Sequence, residues 1–317
     1  MGNGMKNCKF GVFGYPITHS LSPIMQTAAF DALGMSNCEY KAYAVEPGNL
    51  MEEVLKAQAE NFCGLNLTIP LKEKIIETGL IIPDDFSKKA GAVNTLHFKG
   101  GKDGEIYGYN TDAKGAAKAL EYAGCDTFGK KILIIGAGGA SKSISLYFGE
   151  AGNSLKIINR TAEKAQRLAE EIAEKTGNVN VFGGGFESGW DDLKEADVII
   201  QTTELGMGKY EDVSVFDQLS LGKDETNNKT KDEMKDELIR ECLENKTVFD
   251  IVYNPEETKF LREAKAAANV RALNGMMMLV FQGALSFEIW TGKKPDANVM
   301  KEAVLEALRS KSRHESE

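Results

Sequence analysis

Lys131-Ile-Leu-Ile-Ile-Gly-Ala-Gly-Gly-Ala-Ser141 is the stretch on which the fold turns. A short apolar run stopped by glycines suits a strand buried on both faces, and such strands belong to parallel sheets. Ser143 to Gly149 then reads as a helix, Leu155 to Ile158 as a second strand, and Ala162 to Lys175 as a helix rich in Ala, Glu and Lys. Val179 to Phe182, Asp197 to Ile200 and Thr247 to Val252 read as further strands. Strands separated by helical segments imply a doubly wound, Rossmann-type parallel sheet. In that setting Gly136 permits the sharp turn out of the strand and Gly138 lets the backbone approach a pyrophosphate. The anion then meets the free N–H groups and positive end of the next helix. The third fingerprint position is Ser141 rather than glycine, so the order strand, turn, helix, strand carries the reading. Gly136, Ala137, Gly138, Gly139 and Ala140 are the expected dinucleotide-binding turn.

The residues after the second strand decide which dinucleotide. NAD sites place an Asp or Glu about 20 residues beyond the first glycine, where it accepts hydrogen bonds from the ribose. This chain has Asn159-Arg160-Thr161 there. No carboxylate repels a 2′-phosphate, and a guanidinium can pair with one bidentately. NADP(H) is therefore the expected cofactor.

The remainder of the chain is compatible with this reading. At 317 residues it has the length of two domains, and 42% hydrophobic with 27% charged residues is an ordinary globular balance. No apolar run is long enough to span a membrane, and Met1 to Phe10 lacks the apolar core of a signal peptide, so the expected compartment is the cytoplasm. Five cysteines lie scattered without a Cys-x-x-Cys pair, which points to reduced, packed thiols rather than disulfides or zinc. The three histidines (His19, His97, His314) offer no metal site. A formal charge of −9 with no basic block argues against nucleic acid.

The first 110 or so residues alternate less regularly. Strands are expected at Cys8–Phe13, Tyr40–Val45 and Phe62–Thr68, with helices at Pro23–Leu33 and Leu50–Glu60. The domain boundary is expected near Thr111–Gly115. Leu221 to Asn245 differs: it is densely charged, with capping-box spacing at Thr230 and Glu233 and helical recurrence of Met234, Leu238 and Cys242, which reads as a surface helix on a solvated insertion. Met300, Ala303, Val304, Ala307 and Leu308 make a final amphipathic helix before the polar Ser310–Glu317 tail.

Ser22 before Pro23 reads as an N-cap, which with Ser20 puts two hydroxyls at a helix N-terminus able to hold a carboxylate. Gly64-Leu-Asn-Leu-Thr-Ile-Pro-Leu-Lys72, Gly91-Ala-Val-Asn-Thr95 and Gly108-Tyr-Asn-Thr-Asp112 are polar tips following glycine, each of them as readily a turn as a site.

Taken together, His19-Ser-Leu-Ser-Pro23, Asn66-to-Lys72, Gly91-to-Thr95, Tyr109-to-Asp112, Gly136-to-Ser141, Asn159-to-Thr161, Asp250-to-Pro255 and Asn274-to-Gly292 resemble, in order, the motifs of shikimate dehydrogenases. The resemblance runs from about Phe10 to Gly292. It implies two α/β domains: residues 1–113 with 276–317 for the substrate, and 114–275 for NADP, a C-terminal helical segment returning to the first. It implies reduction of 3-dehydroshikimate to shikimate by a monomer or homodimer whose partners are small molecules. Ser20 and Ser22 would hold the substrate carboxylate. Asn66, Thr68, Asn94 and Gln282 would hydrogen-bond the ring hydroxyls or the groups around them, Tyr253 would line the cleft, and Lys72 with Asp112 would form the catalytic pair. Gly206, Met207, Ile251 and Gly275 would join the cofactor site.

Two departures stand out. Gln201-Thr-Thr-Glu-Leu-Gly-Met207 replaces the family's more usual Asn-Ala-Thr-Pro-x-Gly-Met near the nicotinamide, and the charged insertion is longer than the family norm. A quinate dehydrogenase, often NAD-preferring, would carry an acid where Asn159-Arg160 stands. A non-catalytic NADP-binding regulator would be expected to lack Lys72 or Asp112.

Overall fold

Lys9–Gly14 (β1) lies at the centre of the N-terminal half of the sheet in one of two compact units seen in the computed structural model, which describes residues 8–220 and 230–314. This unit comprises the chain up to Gly115 and again from Val280. After β1 come α1 (Ser22–Ala32), β2 (Glu39–Ala44), α2 (Leu50–Ala59), β3 (Phe62–Leu67), α3 (Leu71–Glu77), the short β4 (Ile82–Pro83) and α4 (Asp85–Ala90). β5 (Thr95–Lys99) and β6 (Glu105–Tyr109) follow, and α5 (Asp112–Tyr122) begins here. The sheet order is β2-β1-β3-β5-β6-β4. β2, β1 and β3 are parallel, whereas β5 runs antiparallel to both β3 and β6.

One face of this sheet buries Leu65, Leu67 and Leu96 with Leu50, Val54, Leu71 and Ile75 from the helices. On the other, Phe10 stacks on Phe30 and touches Trp290, while Phe30 packs on Phe287. Gly64 makes that second face possible: a Cβ there would stand 2.2 Å from Trp290 Nε1. The indole N–H instead donates to the Leu96 carbonyl at 2.8 Å, which pins the last helices to the sheet.

The second unit, Ala116–Leu279, holds β7 (Lys131–Ile135), α6 (Gly139–Glu150), β8 (Ser154–Ile158), α7 (Ala162–Thr176), β9 (Val181–Gly184), α8 (Gly189–Glu195) and β10 (Val198–Gln201). It continues with α9 (Val215–Leu219), α10 (Lys231–Leu243), β11 (Thr247–Asp250), α11 (Lys259–Ala264) and β12 (Arg271–Leu273). Every strand pairing is parallel, in the order β12-β11-β10-β7-β8-β9. This is the doubly wound sheet expected from the sequence. Two helices, α12 (Met276–Thr291) and α13 (Ala297–His314), complete the chain. Among the described residues no helix is long and apolar enough to cross a membrane.

Local corrections have physical causes. The helix expected from Ser143 starts at Gly139, because the last residues of the glycine turn already have helical geometry. The strand expected at Val179–Phe182 is displaced to Val181–Gly184: Asn178 ties down the Gly149 and Asn153 carbonyls and caps the Asn180 N–H, so 178–180 form a turn. The last expected strand stops at Asp250, whose carboxylate captures the Val252 N–H. Ser22 is not an N-cap. Leu21 holds that position without a side-chain bond, and the Ser22 N–H donates to Ser20 Oγ at 3.3 Å. Of the charged stretch, residues 221–229 lie outside the described residues. The rest is α10, opened by a Thr230–Glu233 capping box. Residues 315–317 of the polar tail are likewise outside.

Candidate active site

Lys72 sits in the first turn of α3 and Asp112 is the first residue of α5, so two helix starts present the pair. Lys72 Nζ donates to Asp112 Oδ2 at 2.7 Å, with 28% and 12% of the side chains exposed. The other carboxylate oxygen accepts from Asn94 Nδ2 at 2.9 Å. Asn94 is itself fully engaged: its amide N–H groups also reach Thr111 Oγ1 at 2.9 Å and Gln282 Oε1 at 3.4 Å. Its oxygen accepts from the Thr111 N–H and from Thr95 Oγ1, each at 2.9 Å. An amide so bonded has one orientation, and it fixes the carboxylate that fixes the lysine.

The network continues inward. Asn66 Nδ2 donates to Thr95 Oγ1, to Ser286 Oγ and to the Asn94 carbonyl at 3.0–3.1 Å. The Tyr40 hydroxyl donates to Asn66 Oδ1 at 2.7 Å. Burial pushes the Tyr40 phenol well above its ordinary range, against a hydrogen bond shared with Ser22. Ser22, Asn66, Asn94, Gln282, Lys72 and Asp112 are thus joined through protein atoms. Among the described residues, Ser20 meets the network through the Ser22 N–H. Thr68 is half-buried and gives its N–H to the Phe13 carbonyl. Tyr253 belongs to the second unit, half-buried, and burial raises its phenol.

Tyr40, Thr95, Thr111 and Ser286 were not singled out by sequence reasoning. Thr95 and Thr111 were visible as motif neighbours of Asn94 and Asp112. Ser286 carried a helical-spacing signal, four residues beyond Gln282 on α12.

In the second unit Gly136 has φ +118, and an added Cβ would meet Thr202 Oγ1 at 2.5 Å, so only glycine fits. Ser141 Oγ closes the turn by donating to the Gly136 carbonyl at 2.7 Å. Gly138 is the N-cap of α6 and has no capping side chain, with open space where a Cβ would stand; Gly139 beside it is exposed, and Ala137 and Ala140 are partly so. Uncapped amides at an open helix start fit a pyrophosphate. At the end of β8, Arg160 and Thr161 are exposed, and Asn159 Nδ2 donates to the Thr161 carbonyl. Thr161 precedes α7 without a side-chain cap. Gly206 is buried with φ +87 and Met207 is 44% exposed. Gly275 approaches Ile251 so closely that a Cβ would fall 1.9 Å from the Ile251 carbonyl oxygen. These residues fit a dinucleotide phosphate on the turn and a 2′-phosphate at Arg160.

Comparison with known proteins gives the same outline. Residues 12–96 match the family model for the shikimate dehydrogenase substrate binding domain, 117–206 the shikimate/quinate 5-dehydrogenase model, and 275–305 the shikimate 5′-dehydrogenase C-terminal domain. The shikimate dehydrogenase (NADP+) of Methanosarcina barkeri is 44% identical over 95% of this chain and 98% of its own. A crystal structure of a shikimate dehydrogenase in complex with NADP+ superposes with a TM-score of 0.79 at 37% identity, covering 97% of each chain. The Thermus thermophilus enzyme with NADP(H) and shikimate gives 0.77 at 32% identity, covering 95% of this chain and 99% of the other. With such relatives matched over nearly their whole length, the chain belongs to the shikimate dehydrogenase family.

Proposed function

We propose that this chain catalyses the reversible, NADPH-dependent reduction of 3-dehydroshikimate to shikimate, a step on the route to chorismate and the aromatic amino acids. The observation that carries the reading is the 2.7 Å Lys72–Asp112 pair, oriented by Asn94, within a chain of this family. Residues 1–113 with 276–317 serve the substrate, and 114–275 hold the dinucleotide. The enzyme works as a cytoplasmic monomer or homodimer on small molecules.

NADPH, when bound, supplies the hydride. Gly136 to Ala140 cradle its pyrophosphate, Arg160 with Asn159 and Thr161 hold its 2′-phosphate, and Gly206, Met207, Ile251 and Gly275 line the remainder. The Lys72 ammonium gives its proton to the former ketone oxygen and stabilises the charge that develops there. Asp112 holds the ammonium in place and accepts a hydrogen bond from an adjacent ring hydroxyl. Ser20 and Ser22 bind the carboxylate; Asn66, Thr68, Asn94 and Gln282 bind hydroxyls; Tyr253 lines the cleft. The test is the rate of NADPH and NADH oxidation with 3-dehydroshikimate, beside the reverse reaction with shikimate and with quinate. Turnover of quinate in preference to shikimate, or of NADH in preference to NADPH, would overturn the assignment.

A further inference from the structure

The segment where the chain leaves the family pattern, Gln201 to Met207, is organised around three side chains that the mechanism above does not use. Gln201 ends β10, Asp250 ends β11 and Thr258 is the N-cap of α11; all three are completely buried. Gln201 Nε2 donates to Asp250 Oδ1 at 3.2 Å and to the Leu205 carbonyl at 3.0 Å, while its Oε1 accepts the Thr203 N–H. Asp250 also accepts the Val252 N–H at 3.0 Å and the Thr258 hydroxyl at 2.7 Å. Thr258 Oγ1 in turn accepts the Leu261 N–H at 3.3 Å. Among the described residues no ion pair reaches Asp250, and burial pushes its carboxyl up to about 6. A carboxylate kept in so dry a place without a cation is costly, which argues that it serves something other than stability.

What it serves follows from position. In a doubly wound sheet the dinucleotide lies across the carboxyl ends of the strands at the switch point, one half on each side. Here the phosphate turn follows β7, and the partner across the switch point is β10, paired with it residue by residue up to Gln201 and Ile135. The turn at 202–207 therefore stands at the nicotinamide half. It also touches the phosphate turn: Thr202 Oγ1 donates to the Ile135 carbonyl at 2.8 Å and occupies the space beside Gly136. Its far end leans on one of the three, because a Cβ on Gly206 would meet Thr258 Cβ at 2.8 Å.

We propose that Gln201, Asp250 and Thr258 form a positioning unit that sets the 202–207 turn for the nicotinamide half of the dinucleotide. This rests on the cofactor reading above. Gln201 reaches forward to Thr203 and Leu205 and sideways to β11, so the turn cannot drift without breaking its bonds. Asp250 anchors both Gln201 and Thr258, and through them both ends of the turn.

The experiment compares two probes on the full chain: NADPH, and adenosine 2′,5′-bisphosphate, which has the adenosine half alone. Gln201→Ala should weaken NADPH about tenfold or more and lower kcat, the loss expected for one or two buried hydrogen bonds. Affinity for the bisphosphate and KM for shikimate should stay unchanged. Thr258→Ser should retain the wild-type values that Thr258→Val loses, since the hydroxyl rather than the bulk does the positioning. Gln201→Asn, a milder change, gives the same readout in a smaller degree if Gln201→Ala does not fold. Equal losses on both probes would mean a general structural role, and no loss on NADPH would mean no role; either overturns the proposal. Failure of the wild-type chain to bind either probe would instead overturn the cofactor reading.

Discussion

Removing the Lys72 side chain should separate chemistry from binding. Its ammonium makes a 2.7 Å charge-assisted bond to Asp112, whose second oxygen remains held by Asn94 at 2.9 Å when the lysine is gone. Asp112 also keeps its backbone N–H on Asn110 Oδ1 at 3.1 Å, so Lys72→Ala leaves the start of α5 in place. On the proposed mechanism, what disappears is the proton donor. A positioned acid–base group contributes about a hundred- to ten-thousandfold to rate, and kcat should fall on that scale. Asp112→Asn tests the other partner. An amide cannot accept from both Lys72 and Asn94, because one of its two ends is a donor, so one bond is lost in either orientation. A charge-assisted bond is worth roughly 1.5–3 kcal/mol, which sets the expected loss at about ten- to a hundredfold. Lys72→Arg keeps the charge but should not restore the rate, since a guanidinium is a far poorer proton donor. The assay is steady-state oxidation of shikimate at saturating NADP+, with NADPH affinity measured by fluorescence titration. Cofactor affinity should survive all three changes. If Lys72→Ala kept kcat within about tenfold of the unaltered chain, less than an acid–base group supplies, the mechanism would be refuted.

Arg160→Ala should weaken NADPH about ten- to a hundredfold and leave NADH unchanged, because on the proposed reading the exposed guanidinium pairs with the 2′-phosphate that NADH lacks; calorimetric titration with both cofactors decides it. Lys235, whose side chain is 9% exposed, bonds Asp217 at 2.9 Å and Glu263 at 3.0 Å and so ties α10 to α9 and α11. Lys235→Ala takes the 3.0 Å partner from Glu263, while Asp217 keeps Lys259 at 2.7 Å, and should cost about 1–3 kcal/mol, read as a lower urea midpoint from tryptophan fluorescence. Asp250 titrates the other way from most carboxylates. Its folded value of about 6 lies above the unfolded 3.8, so folding is weakened as pH rises from about 4 to about 6. The span is worth about 3 kcal/mol, and Asp250→Asn should abolish that slope in urea unfolding measured across the window; an unchanged slope would mean the carboxyl titrates normally.

The Rossmann half was legible because its signals are local. Ile132 to Ile135 are apolar since both faces are covered, and Gly136 is glycine since Thr202 stands where a Cβ would go. The place of Asn159-Arg160 directly after a strand could be read because β8 carries its own apolar residues. The antiparallel β5 and β6 were missed, being five residues each with no uniform apolar run to announce them. So was the helix start at Lys72, hidden behind Pro70. The Ser22 cap went astray because residue type cannot say that Leu21 already has helical backbone. The contacts that orient Asn94 come from Thr111, 17 positions away, and Gln282, 188 positions away, and no local pattern encodes a pairing across that distance.

Three partly or wholly buried carboxylates show how one residue type is put to different uses by its neighbours. Asp217 lies among lysines; burial works against its charge, yet the bonds from Lys259, the Ser214 N–H and Lys235 prevail and hold it at about 2. Its folded value is below the unfolded 3.8, so its stabilisation is present above about pH 4 and is lost as pH falls towards about 2. Asp250 has, among the described residues, neutral donors alone, and there burial prevails. Asp112 is intermediate in composition, with one cation on one oxygen and one amide on the other. A carboxylate saturated by cations, like Asp217, can only fasten helices together. One saturated by neutral donors, like Asp250, can orient a turn but has no cation to offer a substrate. Asp112 alone of the three binds a single lysine, through one of its two oxygens, on a helix start where both side chains keep some exposure. That arrangement can hold an ammonium in a fixed place and still leave it protons to give, which is what the proposed reduction of a ketone would require of it.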